Sequence, residues 1–332
     1  MRLGPWQFET PIILAPMAGV SDRVFRALCR AEGADYAPSE MTSSDPALRN
    51  TPQTRQRRRA EVDAKPFIVQ IAGADPSEMA DAARQAVDEG AEVIDINMGC
   101  PAKRVCNRLA GSALLQDEAL VERILAAVVG AVKEPVTLKT RTGWDLAHRN
   151  AVRIARLAEN LGISAITLHG RTRACAYRGL AEYETIAAVK SAVTIPVIAN
   201  GDITSPHKAA EVLASTRADG LMVGRAAQGD PWIFGRIKAF LATGAHLPPP
   251  AADAVRRMLL AHVSGLHDLY GEIPGTRIAR KHAGWYFTRW DREAVQRRAE
   301  FNCLESATAQ LRYLEHYTPY FNDYSNSYGE AA

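Results

Sequence analysis

The chain has 332 residues, of which 47% are hydrophobic and 23% are charged. This composition excludes a disordered or fibrous protein, and the length allows one barrel domain of about 250 residues and a smaller second domain. The formal net charge of +3 is too small to indicate a nucleic-acid partner by itself, because the position of the charges decides the electrostatics.

Short, β-rich apolar runs alternate with amphipathic helical stretches between residues 12 and 224. This alternation is typical of parallel strands joined by right-handed helical crossovers. Because the chain has no GxGxxG or GxxxxGKS/T loop, the eight repeats favour a closed α/β barrel, the (β/α)₈ TIM barrel, over a doubly wound sheet. The predicted strands are Ile12–Pro16, Asp35–Ser39, Phe67–Ala72, Val93–Met98, Val136–Arg141, Ala165–Gly170, Pro196–Asn200 and Asp219–Gly224.

Capping residues mark several helix boundaries between these strands. Asp75-Pro76-Ser77-Glu78 predicts an N-cap, a proline at the first helical position and a capping-box glutamate. Ser205-Pro206 repeats the cap and the proline, and Gly90 and Gly162 suit positions just beyond helix C-termini.

A second domain is predicted after Pro248-Pro249-Pro250, because three prolines cannot continue a helix. We therefore assign residues 1–245 to the barrel and residues 246–332 to a small C-terminal all-α helical bundle. Its helices are expected between Ala251 and Tyr317, and residues 318–332 are expected to fray.

Polar residues at the carboxyl ends of the predicted strands are candidates for the active site, because a barrel binds its substrates on that face. Gln70 and Asn97 would also suit the capping of strand ends, and His169 would suit a hydrogen bond in the core. The candidates in chain order are Met17, Ala18, Glu40, Gln70, Asn97, Cys100, Lys139, Arg141, His169, Asn200, Gly201, Asp202, Gly224 and Arg225.

The loops after the seventh and eighth predicted strands resemble a phosphate site. Asn200-Gly201-Asp202 and Gly224-Arg225 would supply free backbone amides and one guanidinium, which suit a single phosphate monoester. A mononucleotide such as FMN therefore fits better than FAD or NAD, although two glycine turns and a surface arginine are the structural alternative. Lys139 lies in an apolar run and needs an anionic partner, either a carboxylate of the barrel or a bound, reduced flavin.

Cys100 follows the fourth predicted strand directly. A thiol near its reference pKa of about 8.5 is mostly protonated at neutral pH, so it can act as a general acid. An inert buried cysteine is the alternative interpretation. The other four cysteines are interpreted as structural free thiols, because no CxxC pair is present and an odd number argues against a disulfide framework; they are Cys29, Cys106, Cys175 and Cys303.

No metal site or membrane segment is predicted. The chain has no HExxH motif, paired CxxC or EF-hand loop. No run approaches the length of an apolar membrane span, and the first ten residues lack the apolar core of a signal peptide. We therefore expect a cytoplasmic protein, and we expect a monomer.

Six motifs closely resemble those of tRNA-dihydrouridine synthases and occur in the order found in that family. The resemblance covers nearly the whole chain, from Arg2 to Leu314, and is greatest for the bacterial B subfamily. Asn97-Met98-Gly99-Cys100-Pro101 is specific to the family. The other motifs are Ala15-Pro16-Met17-Ala18-Gly19, Ala110-Gly111-Ser112-Ala113-Leu114-Leu115, His169-Gly170-Arg171-Thr172-Arg173, Asn200-Gly201-Asp202-Ile203 and Gly224-Arg225-Ala226-Ala227.

The resemblance implies a bound FMN, NADPH as the reductant, and Cys100 as the proton donor. It implies that hydride from flavin N5 adds to C6 of a uracil and that the proton from Cys100 adds to C5. The implied target is a D-loop uridine of tRNA, at position 17, flipped from its stack; Asn97 and Arg171 are candidates to hold its base. The implied FMN contacts are Pro16, Met17, Ala18, Gln70, Lys139, His169, Asn200, Gly201, Asp202, Gly224 and Arg225.

Basic residues surround the predicted catalytic face and recur in the C-terminal domain. Arg277–His282 and its continuation to Arg298 interleave cations with aromatic residues, a mixture that suits phosphates and unstacked bases. A solvated charged surface is the alternative interpretation. The predicted RNA contacts are Lys103, Arg104, Arg141, Arg171, Arg173, Arg280 and Lys281, and the wider basic surface includes Arg108, Arg178 and the arginine-rich stretch from Arg49 to Arg59.

Two other functions remain open at this point. An FMN barrel that oxidises or reduces a free pyrimidine, like a dihydroorotate dehydrogenase, would share the phosphate loops and the lysine but would not need the basic surface. A non-catalytic tRNA-binding protein would need the basic surface but no flavin.

Overall fold

The computed structural model describes residues 1–49, 51, 54, 65–106 and 110–321, apart from the side chains of Arg49, Lys103 and Arg104. In these residues an eight-stranded parallel sheet with surrounding helices is followed by a group of four helices. The predicted TIM barrel with a C-terminal helical domain is therefore confirmed. No helix within the described ranges is long and apolar enough to cross a membrane.

The barrel strands follow one another around the sheet in chain order, and each neighbouring pair is parallel. The last strand returns to the first, with Leu221 opposite Ile12. A short antiparallel hairpin, β1 (Arg2–Leu3) and β2 (Trp6–Gln7), precedes the barrel. The barrel strands are β3 (Ile12–Leu14), β4 (Thr42–Ser43), β5 (Ile68–Ala72), β6 (Val93–Met98), β7 (Val136–Arg141), β8 (Ala165–His169), β9 (Val197–Asn200) and β10 (Gly220–Val223).

The second strand is the one that the sequence placed wrongly. The prediction was Asp35–Ser39, whereas the regular strand is β4, which pairs with β5 at Thr42 and Ser43. The predicted segment still joins its neighbours, because the amide of Asp35 donates to the Ile12 carbonyl and the amide of Ser39 donates to the Ile68 carbonyl, both at 2.9 Å. Pro38 lacks an amide hydrogen and prevents a regular ladder in this segment.

The predicted N-caps at Asp75 and Ser205 are confirmed. The Asp75 side chain accepts hydrogen bonds from the amides of Ser77 and Glu78, and Ser205 accepts one from the amide of Lys208. Gly90 and Gly162 follow helix ends with φ of 99° and 91°. The barrel helices are α1 (Arg23–Ala31), α2 (Pro46–Arg49), α3 (Pro76–Asp88), α4 (Lys103–Cys106), α5 (Glu118–Ala131), α6 (Ala151–Asn160), α7 (Glu184–Ala192), α8 (Pro206–Thr216) and α9 (Ile233–Thr243), with 3₁₀ turns at Gly111–Gln116 and Arg225–Ala227.

Side-chain alternation divides each barrel strand between two environments. In β6, Ile94 and Ile96 belong to the main apolar core, whereas Val93 belongs to a separate apolar cluster with Leu3 of the hairpin. Asp95 and Asn97 share the alternate positions with Val93, so they lie on its face. This alternation places a layer of polar side chains inside the barrel, towards the carboxyl ends of the strands.

The C-terminal helices surround a core of their own. Phe287 and Trp290 are fully buried there with Phe301. Residues 318–321, predicted to fray, instead contact this domain: the amide of Arg292 donates to the Tyr320 carbonyl at 2.8 Å, while the remainder of that prediction lies outside the described residues. The helices are α10 (Ala252–Tyr270), α11 (Glu272–Trp290), α12 (Ala294–Asn302) and α13 (Ala307–Glu315).

Helix α11 joins the two parts of the protein. The indole nitrogen of Trp290 donates to the carbonyl of Gly229 at 2.6 Å. Gly229 has a φ of 72°, and a side chain there would lie within 2.5 Å of the Trp285 backbone, so only glycine allows this approach. At the other end of the contact, the Lys281 ammonium donates to the carbonyl of Gly19, in the loop after β3. The helical domain therefore borders the mouth of the barrel.

Candidate active site

Three polar side chains on neighbouring strands form a hydrogen-bonded layer inside the barrel. The Gln70 amide nitrogen donates to Asp95 Oδ2 at 2.7 Å, and the Thr137 hydroxyl donates to Asp95 Oδ1 at 2.6 Å. All three side chains are buried. Strand register explains the contacts, because Asp95 is the paired residue of both Gln70 and Thr137.

Asn97 connects this layer to the loop that carries Cys100. Its amide nitrogen donates to Gln70 Oε1 at 2.8 Å. Its oxygen accepts from the amides of Gly99 and Cys100 at 3.1 and 3.0 Å. The oxygen of Asn97 is thus engaged by its own loop, and one hydrogen of its amide nitrogen remains for a ligand.

The Cys100 loop is held from its other side by the turn at Gly111–Gln116. The Ser112 hydroxyl and amide donate to the Cys100 carbonyl at 2.8 and 3.1 Å. Gly111 has a φ of 63°, and a side chain there would lie 2.8 Å from the same carbonyl. Ser112 lies in one of the family motifs, but its anchoring role was not predicted from the sequence.

The thiol of Cys100 is partly exposed at the end of this loop. Burial raises its pKa above the ordinary value. The thiol therefore stays protonated at neutral pH, as an acid must. No disulfide links any of the five cysteines, all of which lie in the described residues.

Lys139 is the buried cation of the layer. Its ammonium donates to Asn200 Oδ1 at 3.1 Å, and Asn200 in turn donates to the Met222 carbonyl at 2.7 Å. Burial, followed by the charge of Arg141, lowers the pKa of Lys139 to about 8. Within the described ranges, no carboxylate forms an ion pair with Lys139. The charge of Asp95, the buried carboxylate of the same layer, acts on Lys139 at longer range and opposes this lowering of its pKa.

His169 lies beside these cations at the end of β8. Burial, followed by the charges of Lys139 and Arg141, lowers the pKa of His169 to about 2. The imidazole is therefore neutral across the physiological range and can donate one hydrogen bond and accept another. Gly201, with a φ of 124°, lets the following loop approach it, since a side chain there would lie 3.0 Å from the imidazole.

Asp202 joins two arginines at the predicted phosphate loops. Arg171 donates to both oxygens of Asp202, at 2.9 and 2.6 Å, and Arg225 donates to Oδ1 at 2.9 Å. Only 3% of the Arg171 side chain is exposed, compared with 55% of the Arg225 side chain. Arg225 is thus the more accessible of the two guanidiniums, and the Asp202 carboxylate is already neutralised.

Arg141, predicted to contact RNA, is also buried, with 1% of its surface exposed. Its guanidinium donates to the carbonyls of Gly99 at 2.7 Å and Ala176 at 2.8 Å. It therefore holds the Cys100 loop against the loop after β8. In that second loop Arg173, half-buried, lies over the ring of Trp144 at 4.2 Å.

The loop after β3 contains Pro16, Met17 and Ala18 and forms one wall of the mouth. Its turn is closed by the amide of Met17, which donates to Ser21 Oγ at 2.7 Å. Met17 lies beside Gly224, where a side chain would come within 3.6 Å of its sulfur. The loops after the first and last strands of the barrel are thus in contact.

A cavity of about 490 Å³ lies on the helical domain. Lys281 links it to the barrel mouth, because this side chain lines the cavity and also donates to Gly19. The Lys281 ammonium lies 5.6 Å from the ring of Trp285, and Arg280 donates to the Leu304 carbonyl at 3.0 Å. The cavity is lined by Arg277, Arg280, Lys281, Gly284, Trp285, Arg298 and Asn302.

Some predicted RNA contacts cannot be placed against this geometry. The side chains of Lys103 and Arg104, residue Arg108, and most of the stretch from Arg49 to Arg59 lie outside the described residues.

Comparisons with known proteins point to one family. The sequence model of the family described as Dihydrouridine synthase (Dus) matches residues 13–321. A protein of Pseudomonas putida named tRNA-dihydrouridine synthase B is 57% identical over 310 residues, which cover 93% of this chain and 92% of that protein. Proteins of the same name from Yersinia pestis and Xanthomonas axonopodis are 57% and 55% identical, each over 96% of this chain and over 98% and 95% of their own lengths.

The fold is also similar to that of a solved structure. It is 6-hydroxypseudooxynicotine amine oxidase from Pseudomonas geniculata, with a TM-score of 0.55 and 16% identity. The similarity covers 73% of this chain and 49% of that protein, so this chain spans about half of it. At this level of identity the similarity concerns the fold alone.

Proposed function

Because the chain belongs to the dihydrouridine synthase family, we propose that it is a tRNA-dihydrouridine synthase that reduces the C5=C6 bond of a D-loop uridine. The B-type relatives and the matching motifs favour position 17 as the target. We propose FMN as the bound cofactor and NADPH as its reductant. We also propose that residues 1–245 perform the chemistry and residues 246–332 bind tRNA.

The observation that carries this proposal is the buried Lys139, whose ammonium donates to Asn200 and, among the described residues, lies within ion-pair distance of no carboxylate; Asp95 acts on it only at longer range. A buried cation of this kind fits beside a ligand that carries negative charge. When bound, FMN would supply the hydride that is transferred from N5 to C6 of the uracil. The residues that would hold the ring are Pro16, Met17, Ala18, Gln70, Lys139 and His169, and those at the phosphate are Asn200, Gly201, Asp202, Gly224 and Arg225.

The residues at the phosphate would act in different ways. Arg225 is exposed and can reach an anion with its remaining nitrogen atoms. The Asp202 carboxylate already accepts hydrogen bonds from two arginines. We therefore propose that its side chain holds Arg225 in position and that its backbone, near Gly201, contacts the phosphate. Arg171 would stabilise this arrangement from beneath.

Cys100 would supply the proton. Addition of hydride at C6 leaves enolate character between C5 and the C4 carbonyl of the uracil, and the thiol of Cys100 would protonate C5. The resulting thiolate would then recover a proton from solvent. The raised pKa of Cys100 favours this role, because a thiol that stays protonated is available as an acid at each turnover.

The cationic cavity of the helical domain would bind the tRNA backbone. Arg280 and Lys281, proposed from the sequence, line it together with Arg277 and Arg298, and Trp285 offers a ring for stacking. On the barrel, we propose that Lys103, Arg104 and Arg173 contact RNA. Arg141 and Arg171 would shape the pocket from within, and Asn97 would direct its free amide hydrogen to the uracil.

The proposal is tested by mass mapping of tRNA from cells that lack the gene, before and after incubation with the purified protein and NADPH. We expect a gain of two hydrogen atoms at one D-loop uridine and no reaction of free uridine or orotate. A colourless protein that does not take up FMN, or reduction of orotate in place of tRNA, would overturn it.

A further inference from the structure

We propose that Asp95 is a positioning residue that sets the orientation of two side-chain amides and, through them, the conformation of the Cys100 loop. The inference rests on the proposed function only in giving Cys100 its chemical importance. We use the name amide relay for four buried, hydrogen-bonded side chains, which are Thr137, Asp95, Gln70 and Asn97.

The relay has one direction because a carboxylate can only accept hydrogen bonds. Asp95 therefore requires that Gln70 presents its nitrogen, which it does at 2.7 Å. The Gln70 oxygen must then face Asn97, which donates to it at 2.8 Å. With its nitrogen turned to Gln70, Asn97 presents its oxygen to the loop.

The last hydrogen bonds of the relay are made with the backbone of the Cys100 loop. The amides of Gly99 and Cys100 both donate to the Asn97 oxygen. If Gln70 turned over, its nitrogen would oppose that of Asn97, and Asn97 would have to turn as well. The two loop amides would then face a donor and lose their acceptor. A single carboxylate two positions along the strand from Asn97 thus selects the conformation that presents the thiol.

Gln70 transmits this orientation, because a side-chain amide can turn either its nitrogen or its oxygen towards Asp95. A glutamate at position 70 would accept from Asn97 whatever residue occupies position 95, and beside Asp95 the two carboxyl groups would share one proton. Gln70→Glu should therefore make the loop insensitive to the residue at position 95. If Asp95 acted only through general stability, its substitution would have the same effect on the loop with glutamine or with glutamate at position 70.

The test is amide hydrogen exchange of the segment 97–102 in the flavin-free, full-length protein at pH 8, above the pKa of about 6 to which burial raises Asp95, so that altered flavin binding by a Gln70 variant does not affect the comparison. Asp95→Asn keeps the shape but lets residue 95 donate as well as accept. We expect it to speed exchange of the Gly99 and Cys100 amides roughly fivefold to tenfold, the effect of losing one hydrogen bond at each. In the Gln70→Glu background the same substitution should change the exchange little.

Thr137→Val is the matched control, because it removes the other hydrogen bond to the same carboxylate but leaves Asp95 able to accept from Gln70. It should leave loop exchange unchanged. Unchanged exchange in Asp95→Asn, or equal acceleration in both backgrounds, would overturn the proposal. If Asp95→Asn alone does not fold, recovery of folded protein by the added Gln70→Glu would support the relay, and no recovery would overturn it.

The rate of Cys100 alkylation gives a second measure of the same loop, and we expect it to follow the amide exchange across the four variants. Neither measurement requires turnover. A wild-type protein without dihydrouridine synthase activity would therefore overturn the proposed function and leave the relay supported or refuted by its own data.

Discussion

The barrel mouth and the cavity of the helical domain are both rich in cations, but they use them in opposite ways. At the mouth, Arg141 and Arg171 are buried and donate to carbonyls or to Asp202. On the helical domain, Arg277 and Arg298 are exposed around an open cavity. Charge alone does not distinguish an arginine that stabilises the structure of a site from one that binds a partner. Burial and the number of intramolecular hydrogen bonds distinguish them.

The largest effect on activity is expected from substitution of Cys100, the proposed proton donor at the barrel mouth. Cys100→Ala should lower dihydrouridine formation by at least about a hundredfold, since general acids contribute about 10² to 10⁴ in rate. Flavin content and reduction by NADPH should remain, because the thiol is not among the proposed flavin contacts. Product formation is measured by mass spectrometry of tRNA.

The control is Cys303→Ala, which removes an exposed thiol of the helical domain. It should retain wild-type activity. Equal loss in the two variants would show that thiol removal harms the protein in some general way.

Arg171→Met tests whether the cations of the mouth are structural. It removes the bidentate partner of Asp202 and should lower the free energy of unfolding by about 3 kcal/mol, the lower end of the cost of breaking a buried ion pair, because Asp202 keeps Arg225. Denaturant unfolding measures it. Arg277→Met, the same change at an exposed position, should cost less than about 0.5 kcal/mol. Equal costs would erase the distinction between the two regions.

The contact between the barrel and the helical domain should weaken in acid. His262 of α10 stacks on Phe25 of α1 at 5.4 Å, and burial lowers its pKa to about 3. Its neutral form is stable in the fold above the unfolded pKa of 6.5. As the pH falls from 6.5 towards 3, the unfolded chain takes up the proton first, and up to about 1.4 kcal/mol of stability is lost per pH unit.

His262→Phe should therefore reduce the slope of unfolding free energy against pH between pH 6.5 and 5, although it leaves the Tyr286 hydroxyl without its partner. Burial lowers the pKa of His282 in the same way, so part of the slope should persist. The control is Phe25→Leu, which removes the stacked ring but no titratable group and should leave the slope unchanged. An unchanged slope in His262→Phe would show that this contact does not govern the acid response.

The smallest effects are expected at the helical-domain cavity. Arg277→Ala and Arg298→Ala should each weaken tRNA binding several-fold and reduce the slope of log affinity against log salt by about 1, as expected for the loss of one phosphate contact. Thermal stability should stay near that of the wild type. Arg156→Ala, on the exposed side of α6, is the control. If its salt slope fell by the same amount, binding would not be localised to this cavity.

Much of the barrel could be predicted from periodicity. The limits of Val93–Met98 and Val136–Arg141 were predicted as they occur, because apolar strands bounded by polar loops carry a strong signal. The second strand was misplaced because an apolar run around Pro38 resembles a strand although proline interrupts its ladder. Family motifs supplied most of the candidate site.

What sequence could not supply was the pairing of polar groups. Arg171 was proposed to hold a base, and only the three-dimensional contact with Asp202 shows how much of its guanidinium is already engaged. Asp95 was passed over, although a signal was present: a carboxylate in an apolar strand, two residues before Asn97, must face the same side and needs donors. Ser112 lies in a family motif, but its contact with Cys100 depends on the fold of the intervening loop and could not be deduced from the sequence.

The central claim is that one pocket holds reduced flavin and an acid thiol on either side of the same uracil. Its most direct test is a single-turnover experiment in which the protein is first reduced with NADPH under anaerobic conditions and then mixed with unmodified tRNA. In the wild type, flavin reoxidation and dihydrouridine formation should proceed together, and in Cys100→Ala both should be slow. Rapid, complete product formation in Cys100→Ala, or flavin that stays reduced when wild-type protein meets tRNA, would contradict the claim.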